Sequence, residues 1–313
     1  MEMSQIKIGK KKNTWKKDFQ QNWGVYVLFL PTFIFLFVLC YIPMFGIVMA
    51  FQNYRVLDGI FGSEWLGVGN FATLFAGSEF WLALRNTVCI GLLKITIGFI
   101  APIAFAVLLS LLRNKHYKRT VQTFSYMPNF VAAVVVCALL TQFLGPNGPL
   151  TILLGKSGKN LLASNSPAFW FIYIFMGIWQ GIGWGSIMYV ATIATVNGDL
   201  YEAAALDGAT RMQRMFKITL PCIMPMIVMM FVMNVGLSFS QGYDSILLLY
   251  MPETYDYADT VYTYTYRIAG FAGGASRNYG LSAASGLFQS VVSTVLLVGT
   301  NWFSKKKIGT SLF

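Results

Sequence analysis

The sequence predicts an all-α integral membrane protein with six transmembrane helices and with both termini in the cytoplasm. The first observation behind this prediction is composition: of 313 residues, 56% are hydrophobic and only 11% are charged, whereas soluble domains carry about 25% charged residues. The second is patterning, because the apolar residues gather into runs near or beyond the ~20 residues that a helix needs to cross a bilayer. The third is the uneven distribution of basic residues, which sets the orientation.

Each long apolar run is a predicted span. The runs cover residues 25–51, 87–112, 121–144, 169–190, 221–240 and 281–303. The first is too long for the core of a signal peptide and is not followed by a small-residue cleavage site, so we expect it to remain as a helix. Three links, 52–86, 145–167 and 241–280, are predicted to be external loops because they lack long apolar runs and contain many turn-forming residues.

Basic residues place the links on the two sides of the membrane. Most of the 23 lysines and arginines fall in the N-terminal tail, in 113–119, in 211–217 and in 305–307. Lys and Arg near span ends stay in the cytoplasm, so these four segments are predicted to be internal. The net charge of +11 therefore reflects topology and attraction to anionic lipid headgroups. We expect no nucleic-acid binding.

The cysteines and the histidine give no sign of a metal or catalytic site. Cys40, Cys89, Cys137 and Cys222 lie in or beside apolar runs without the paired short spacing of a metal site or a disulfide framework. His116 stands among lysines and arginines. The tripeptide at 155–157 reads GKS, but Leu150 occupies the position where a phosphate-binding loop requires glycine. We therefore expect a protein that is not an enzyme and that has no metal or cofactor of its own.

The internal link between the fourth and fifth spans carries the most informative motif. Residues 195–225 read TVNGDLYEAAALDGATRMQRMFKITLPCIMP, which predicts two short helices separated by a glycine. Asn197 or Asp199 is suited to cap the first helix. Gly208 permits the backbone conformation that ends it. Pro221 leads into the fifth span.

This link resembles the EAA loop of ABC importer permeases. The family pattern is EAA, two residues, DGA, then Phe, Ile, LP and a further Pro. The matching residues here are Glu202, Ala203, Ala204, Asp207, Gly208, Ala209, Phe216, Ile218, Leu220, Pro221 and Pro225. The resemblance implies a type I ABC importer permease fold, in which Glu202, Ala203, Ala204, Asp207, Gly208 and Ala209 form the helix that couples the permease to an ATPase.

The likeness to this family extends beyond the loop. RNT at 85–87 and YMPNFVAAVVV at 126–136 are similar to the same permeases. The chain length, LLLY at 247–250 and the tyrosine-rich 255–267 are similar to the sugar branch, in particular to permeases for complex oligosaccharides. This resemblance divides the chain into a basic cytoplasmic tail at 1–22, the first helix and external loop at 23–81, the permease domain at 82–304 and a cytoplasmic tail at 305–313.

The family resemblance also implies a set of partners in the bacterial plasma membrane. These are a second homologous permease, which would form a heterodimer with this chain, and two cytoplasmic ATPases that bind the ATP and Mg²⁺. An extracellular or periplasmic binding protein would deliver the oligosaccharide. A permease for a non-sugar solute is one alternative. An ion-coupled carrier is another, although such a carrier needs acidic residues at membrane depth, and none falls within the predicted spans.

Polar residues on the spans are the candidates for a solute pathway. Gln180, Asn234, Ser238, Gln241 and Tyr243 supply uncharged hydrogen-bonding groups that suit sugar hydroxyls. Asn234, Ser238 and Gln241 share one helix face. The same residues are equally suited to bond neighbouring helices to each other. Tyr262, Tyr264 and Tyr266 suit stacking on sugar rings or, as the favoured interpretation, an interfacial aromatic belt.

Lys94 is the one basic residue inside a predicted span. An ionisable residue at membrane depth is a candidate functional residue. We expect Lys94 to lie about two turns from the outer end of the second span, so snorkelling to the interface or a hydrogen bond to a neighbouring helix is the favoured interpretation.

Overall fold

The computed structural model describes residues 15–112, 114–156, 158–162, 166–239, 244–249, 251–271 and 277–309. The chain divides into two compact units, Met1–Val48 and Met49–Phe313. Helix α1 (Trp15–Leu36) lies in the first unit and continues through a π turn at Phe37–Tyr41 into 3-10 turns over Ile42–Phe51, the last three residues of which belong to the second unit. Pro31 lies inside α1, and Pro43 is among the residues of the 3-10 turns.

The larger unit is mainly helical, with one short hairpin in which β1 (Gln52–Asn53) pairs antiparallel with β2 (Glu64–Trp65). Its helices are α2 (Gly59–Gly62), α3 (Gly69–Ala76), α4 (Ser78–Leu93), α5 (Phe99–Ser110), α6 (Lys115–Tyr126), α7 (Ala133–Leu144), α8 (Pro149–Leu153), α9 (Ala168–Ala194), α10 (Gly198–Leu206), α11 (Arg211–Arg214), α12 (Leu220–Ser238), α13 (Asp244–Leu249), α14 (Tyr255–Ala258), α15 (Val261–Ile268) and α16 (Tyr279–Ile308). π turns at Lys94–Gly98 and Met215–Thr219 join α4 to α5 and α11 to α12, and 3-10 turns cover Met127–Phe130 and Pro252–Thr254.

Six stretches of the described chain are long and apolar enough to cross a membrane, which confirms the predicted number of spans. They are Asp18–Phe51, Ser78–Ser110, Ala133–Leu153, Ala168–Ala194, Arg211–Ser238 and Tyr279–Lys307. Apart from the third, the second and fifth differ most from the predicted bounds: they begin at Ser78 and Arg211 rather than at residues 87 and 221, because regular helix continues through polar residues that no apolar run contains. Hydrophobicity marks the part of a helix that lies in lipid, whereas the helix itself continues as long as its backbone bonds are made.

The third predicted span, 121–144, is wrong as a single helix. The structure ends α6 at Tyr126, passes through the 3-10 turn and an extended Val131 (φ −78°, ψ 127°), and starts α7 at Ala133. Pro128 explains the break because it has no N–H to donate to the preceding turn and its ring disfavours continued α-helix. The carbonyl of Val131, which the break frees from helical bonding, accepts a hydrogen bond from Gln180 at 3.0 Å.

Helix α9 organises the larger unit, since it packs against α4, α5, α6 and α12. One apolar cluster joins α9 to α7 and α13 around Tyr173, Cys137 and Ile246, and another joins it to α5 and α12 around Ala106 and Tyr189. At Gly183 the backbones approach so closely that a Cβ atom would lie 2.1 Å from the carbonyl oxygen of Ser125. Only glycine fits this contact between α6 and α9.

Candidate translocation and coupling site

The cytoplasmic link contains the two short helices that the sequence predicts. Asn197 caps α10, because its side-chain oxygen accepts from the backbone N–H of Asp199 at 3.1 Å. Thr210 caps α11 through a capping box with Gln213, in which each side chain bonds the backbone of the other. Caps of this kind satisfy the first N–H groups of a helix, which have no partner within it. Both helices therefore have defined starts.

Gly208 ends α10 in the way its position predicts. Its φ angle is +73°, a left-handed conformation that costs a residue with a Cβ atom about 1–2 kcal/mol. The N–H of Gly208 bonds the carbonyl of Ala205 at 3.1 Å, and the N–H of Ala209 bonds that of Ala204 at 2.9 Å. This bond pair is a Schellman motif. This motif fixes the direction in which the chain continues from α10 towards α11.

The link carries an exposed apolar surface, which we call the coupling surface: Leu200, Leu206, Met212 and Phe216. Leu206 is 90% exposed and Phe216 58% exposed. Glu202 and Ala203 are exposed beside them, and Ala204 is half-buried. Among the residues that the structure describes, Glu202 and Asp207 form no ion pair. Apolar groups at this exposure are typical of a contact with another chain.

The link is anchored to the membrane helices at its base. The Tyr201 hydroxyl and the Thr219 hydroxyl lie 3.0 Å apart, in hydrogen-bond contact, and Met215 and Thr219 are buried. Helix α11, the π turn and α12 follow one another without leaving the right-handed helical conformation, as the φ and ψ angles of Met215 and Leu220 show. The coupling surface is therefore continuous with the fifth span.

A cavity of about 440 Å³ lies among the second, fourth and fifth spans and α13. Three of the predicted pathway residues, Gln180, Asn234 and Ser238, line it, together with Lys94 and Ser245. The other two predicted residues, Gln241 and Tyr243, lie outside the described residues. The apolar part of the lining includes Tyr173, Met176, Gly177, Ile178, Pro102 and Leu237. The structure thus brings together the polar residues that sequence patterning could only place on separate helices.

The hydrogen bonds of these polar residues distinguish their contributions. Gln180 donates to Val131 and so supports the break between α6 and α7. Asn234 is exposed and donates to the carbonyl of Met230, one turn earlier on its own helix, at 2.8 Å. Ser238 is buried and donates to Val235 at 2.7 Å. Gln180 therefore bonds a different segment of the chain, which fits a role in joining helices to each other. The described bond of Asn234 stays within α12.

Lys94 lies in the second span and lines the cavity. The helix of this span begins at Ser78, before the apolar run 87–112 in which Lys94 lies. The Nζ atom lies 5.4 Å from the ring centroid of Tyr173. Tyr173 was not identified as a cavity residue from the sequence. The signal for it was its spacing from Gly177 and Gln180, at i, i+4 and i+7, which places all three on one face of the helix.

On the external side a second set of polar residues is bonded within the chain, and we call it the outer cluster: Glu79, Arg85, Asn86, Thr87, Asp259 and Arg267. Asn86 is fully buried and donates to the carbonyls of Asp256 and Asp259 at 3.1 and 2.8 Å. The hydroxyl of Thr87 accepts from the N–H of Val261 at 2.9 Å. The RNT motif thereby holds α14 and α15 against the start of the second span.

Arg267 forms the charged centre of the outer cluster. Its guanidinium bonds Asp259 at 2.8 Å and Glu79 at 3.1 Å, and Thr263 donates to the other oxygen of Asp259 at 2.7 Å. Tyr264 is buried between this cluster and Phe80. Burial, and then the nearby Glu79 carboxylate, raises the pKa of the Tyr264 phenol. Tyr264 is therefore a core residue and not a surface for stacking on sugar rings.

Comparison with known proteins places the chain among membrane transport components. Residues 94–308 match the family model described as binding-protein-dependent transport system inner membrane component. Protein LplB of Bacillus subtilis (strain 168) is 34% identical over 303 residues, covering 96% of this chain and 94% of LplB. The polygalacturonan/rhamnogalacturonan transport system permease protein YteP of the same organism is 36% identical over 307 residues, covering 96% and 93%.

A solved structure is similar over nearly the whole chain. It is a crystal structure of a bacterial alginate ABC transporter in complex with an alginate pentasaccharide-bound periplasmic protein. One of its chains matches this chain with a TM-score of 0.84 and 36% identity, over 95% of this chain and 99% of that chain.

Proposed function

The chain belongs to the family of binding-protein-dependent transport system inner membrane components, and from this premise we propose that it forms half of the pathway of an ATP-driven oligosaccharide importer. As such a component it is a multi-pass protein of the bacterial plasma membrane and a non-catalytic permease of the sugar ABC importer type. The observation that carries the proposal is the cavity at membrane depth, where Gln180, Asn234, Ser238 and Ser245 come together. Amide and hydroxyl groups of this kind replace the water that sugar hydroxyls lose on leaving solution.

The size of the solute follows from the relatives. YteP is named for polygalacturonan and rhamnogalacturonan, and the alginate transporter was crystallised with a pentasaccharide on its periplasmic protein. Transferred to this chain, these names point to an oligosaccharide rather than a monosaccharide. The cavity of about 440 Å³ belongs to one permease alone. A second permease facing it would enlarge the path along which a chain of sugar units passes.

The remaining subunits of the proposed importer follow from the family and from the coupling surface. A second, homologous permease completes the pathway as the other half of a heterodimer, and an external binding protein delivers the oligosaccharide. Two cytoplasmic ATPases bind ATP and Mg²⁺. One of them receives α10, with Glu202 facing a basic group, Ala203 and Ala204 allowing close approach, and Asp207, Gly208 and Ala209 forming the turn that fixes the helix angle.

The segment from α10 to α12 connects the ATPase contact to the pathway. Closure of the ATPase pair displaces α10, and the Tyr201–Thr219 contact and the continuous helix from α11 to α12 carry that displacement into the membrane. Asn234 lies fourteen residues after Leu220, about 21 Å along a helix. A rigid-body shift of α12 therefore moves the groups that line the cavity.

Uptake by the reconstituted complex tests this proposal. The full chain, its partner permease, the ATPases and the binding protein are placed in proteoliposomes with ATP inside, and accumulation of labelled oligosaccharides is measured. We expect uptake that requires both ATP and the binding protein. We also expect Asn234→Ala to lower it several-fold, since an exposed amide in the cavity is lost, while Gln180→Ala lowers thermal stability as well because the Val131 carbonyl loses its donor.

Two results would overturn the proposal in different ways. ATP-dependent uptake of an amino acid or of phosphate, with no uptake of any glycan, would leave the importer in place and replace its solute. Uptake driven by an ion gradient in the absence of ATP would identify an ion-coupled carrier instead. In either case the Asn234→Ala effect on oligosaccharide uptake would not be seen.

A further inference from the structure

We infer that Lys94 makes the pathway selective for acidic oligosaccharides by binding the carboxylate of a uronic-acid unit as it passes through the cavity. This inference rests on the proposed function and narrows its substrate class. The residues of the cavity and the position of Lys94 on its helix carry the argument.

The position of Lys94 requires an explanation beyond packing. It stands within the apolar run 87–112 of the second span, where an ammonium group is costly and where natural chains keep one mainly for a function. It is also the first residue of the π turn Lys94–Gly98. Single π turns within α-helices occur often at functional sites, because the extra residue changes the direction of the side chains beside it.

The surroundings of the ammonium group hold it at the cavity. Nζ lies 5.4 Å from the ring of Tyr173, a residue that is only 5% exposed and whose ring therefore gives the cation a fixed surface to rest on. Lys94 and Tyr173 both line the cavity, on different spans.

The chemistry of the lining selects the ligand. Lys94 is the charged member of the described lining, and the polar residues around it, Gln180, Asn234, Ser238 and Ser245, are neutral. A ligand that suits this set has many hydroxyl groups and an anionic group spaced along it. Oligosaccharides of uronic acids have that pattern, with one carboxylate on each such unit. Polygalacturonan and alginate, for which two relatives are named, are polymers of such units.

A matched pair of oligosaccharides tests the inference. One is a uronic-acid oligosaccharide, and the other is the same molecule after its carboxyl groups have been reduced to alcohols, so that length and linkage are unchanged. Uptake of each by the reconstituted complex is measured for the wild type, Lys94→Gln, Lys94→Arg and Lys305→Gln. Lys305 is exposed near the cytoplasmic end of α16, and its variant removes the same charge outside the cavity.

We expect Lys94→Gln to lower uptake of the acidic oligosaccharide about tenfold, the loss of one charge-assisted hydrogen bond, relative to its effect on the reduced one. Lys94→Arg keeps uptake of the acidic compound within about twofold of the wild type, and Lys305→Gln changes neither. For each compound, the uptake rate of the variant is divided by that of the wild type, so that a preference of the binding protein for one compound cancels. If the binding protein delivers none of the reduced compound, the test is whether Lys94→Arg retains the uptake of the acidic compound that Lys94→Gln loses.

Several outcomes would overturn the inference. An equal loss for both compounds, or a loss that arginine does not restore, assigns Lys94 a structural role. Unchanged uptake by Lys94→Gln, or equal uptake of both compounds by the wild type, shows that the carboxylate is not recognised in the pathway, while the proposed function stands. A wild-type complex that imports neither glycan overturns the proposed function itself.

Discussion

The outer cluster consists of polar and charged residues and the coupling surface of apolar ones, and their partners differ as well. In the outer cluster, Asn86, Asp259 and Arg267 bond other parts of the same chain, across more than 170 residues for Asn86 and Asp259. On the coupling surface, Leu206 and Phe216 are exposed. Residues whose bonds are made within the chain stabilise the fold, whereas residues left exposed in a rigidly capped segment are suited to a contact with another chain.

The strongest way to break this comparison is to place a charge on the coupling surface. Leu206→Asp puts a carboxylate where an apolar side chain would enter the ATPase, and burying an unpaired charge costs several kcal/mol. We expect uptake to fall about 100-fold, the ATPase to be lost on co-purification, and the melting temperature of the permease to stay unchanged. Leu57→Asp, at a leucine that is 99% exposed on the external side, is the control and keeps the ATPase bound.

If Leu206→Asp retains the ATPase and full uptake, the surface does not couple and its exposure has another origin. If it unfolds the permease, the distinction between exposed and internally bonded residues is itself wrong.

The next largest effect is expected in the outer cluster. Asp259→Ala removes the buried acidic partner of Arg267 and leaves its partly buried guanidinium paired with the exposed carboxylate of Glu79, so we expect a loss of about 3 kcal/mol of stability. Glu79→Ala removes the exposed partner, whose side chain is 65% exposed, and costs less than about 1 kcal/mol. Thermal unfolding in detergent or nanodiscs measures both.

We expect the melting temperature of Asp259→Ala to lie far below that of Glu79→Ala. The fraction of each variant that remains folded should take up the oligosaccharide normally. Equal losses for the two variants would mean that burial does not set the strength of this ion pair.

The smallest effect is expected at the turn that ends α10, beside the coupling surface. Gly208→Ala keeps the loop and adds one methyl group, for which there is open space, since no atom lies within 4 Å of the added Cβ. The positive φ angle alone makes alanine unfavourable, by about 1–2 kcal/mol. We expect little change in global stability and a several-fold loss of substrate-stimulated ATP hydrolysis, because α10 is held at a different angle.

Gly198→Ala is the matched control for this variant. Gly198 also has open space around it but lies at the start of α10 without a positive φ angle. A loss of coupling in both variants would assign the effect to the added methyl group rather than to the turn.

Local patterns in the sequence were sufficient to predict much of this molecule. Apolar runs predicted six spans, and residue chemistry within a few positions limited the cap of α10 to Asn197 or Asp199 and predicted its end at Gly208. Membrane thickness and helix capping act locally, so the sequence contains them directly. The family resemblance added the coupling role, which remains a prediction, as does the division of the chain into tails and domain. The pathway roles of Gln180, Asn234, Ser238, Gln241 and Tyr243 also remain predictions.

What local patterns missed depends on contacts between distant segments. The break in the third span was not predicted, although Pro128 was a visible signal, because an apolar run continues across it. The start of the second helix at Ser78 was placed too late, near residue 87, because Ser78, Glu79, Arg85 and Asn86 interrupt the apolar sequence there. The pairing of Arg267 with Glu79, which are 188 residues apart, has no local signature. Such bonds require the packed fold.

The π turn at Lys94–Gly98 also sets a helical phase. A π turn contains one residue more than an α turn, and each residue of a helix advances the azimuth by about 100°. Upstream of the turn, Asn86 is oriented towards α14; downstream, Ala106 and Val107 are buried against α9. If the same residues formed a regular α-helix instead, the half after the turn would be rotated by about 100° relative to the half before it. The external contacts and the packing against α9 would then be unable to form together, so the π turn lets the span hold one additional residue while both halves keep their orientation.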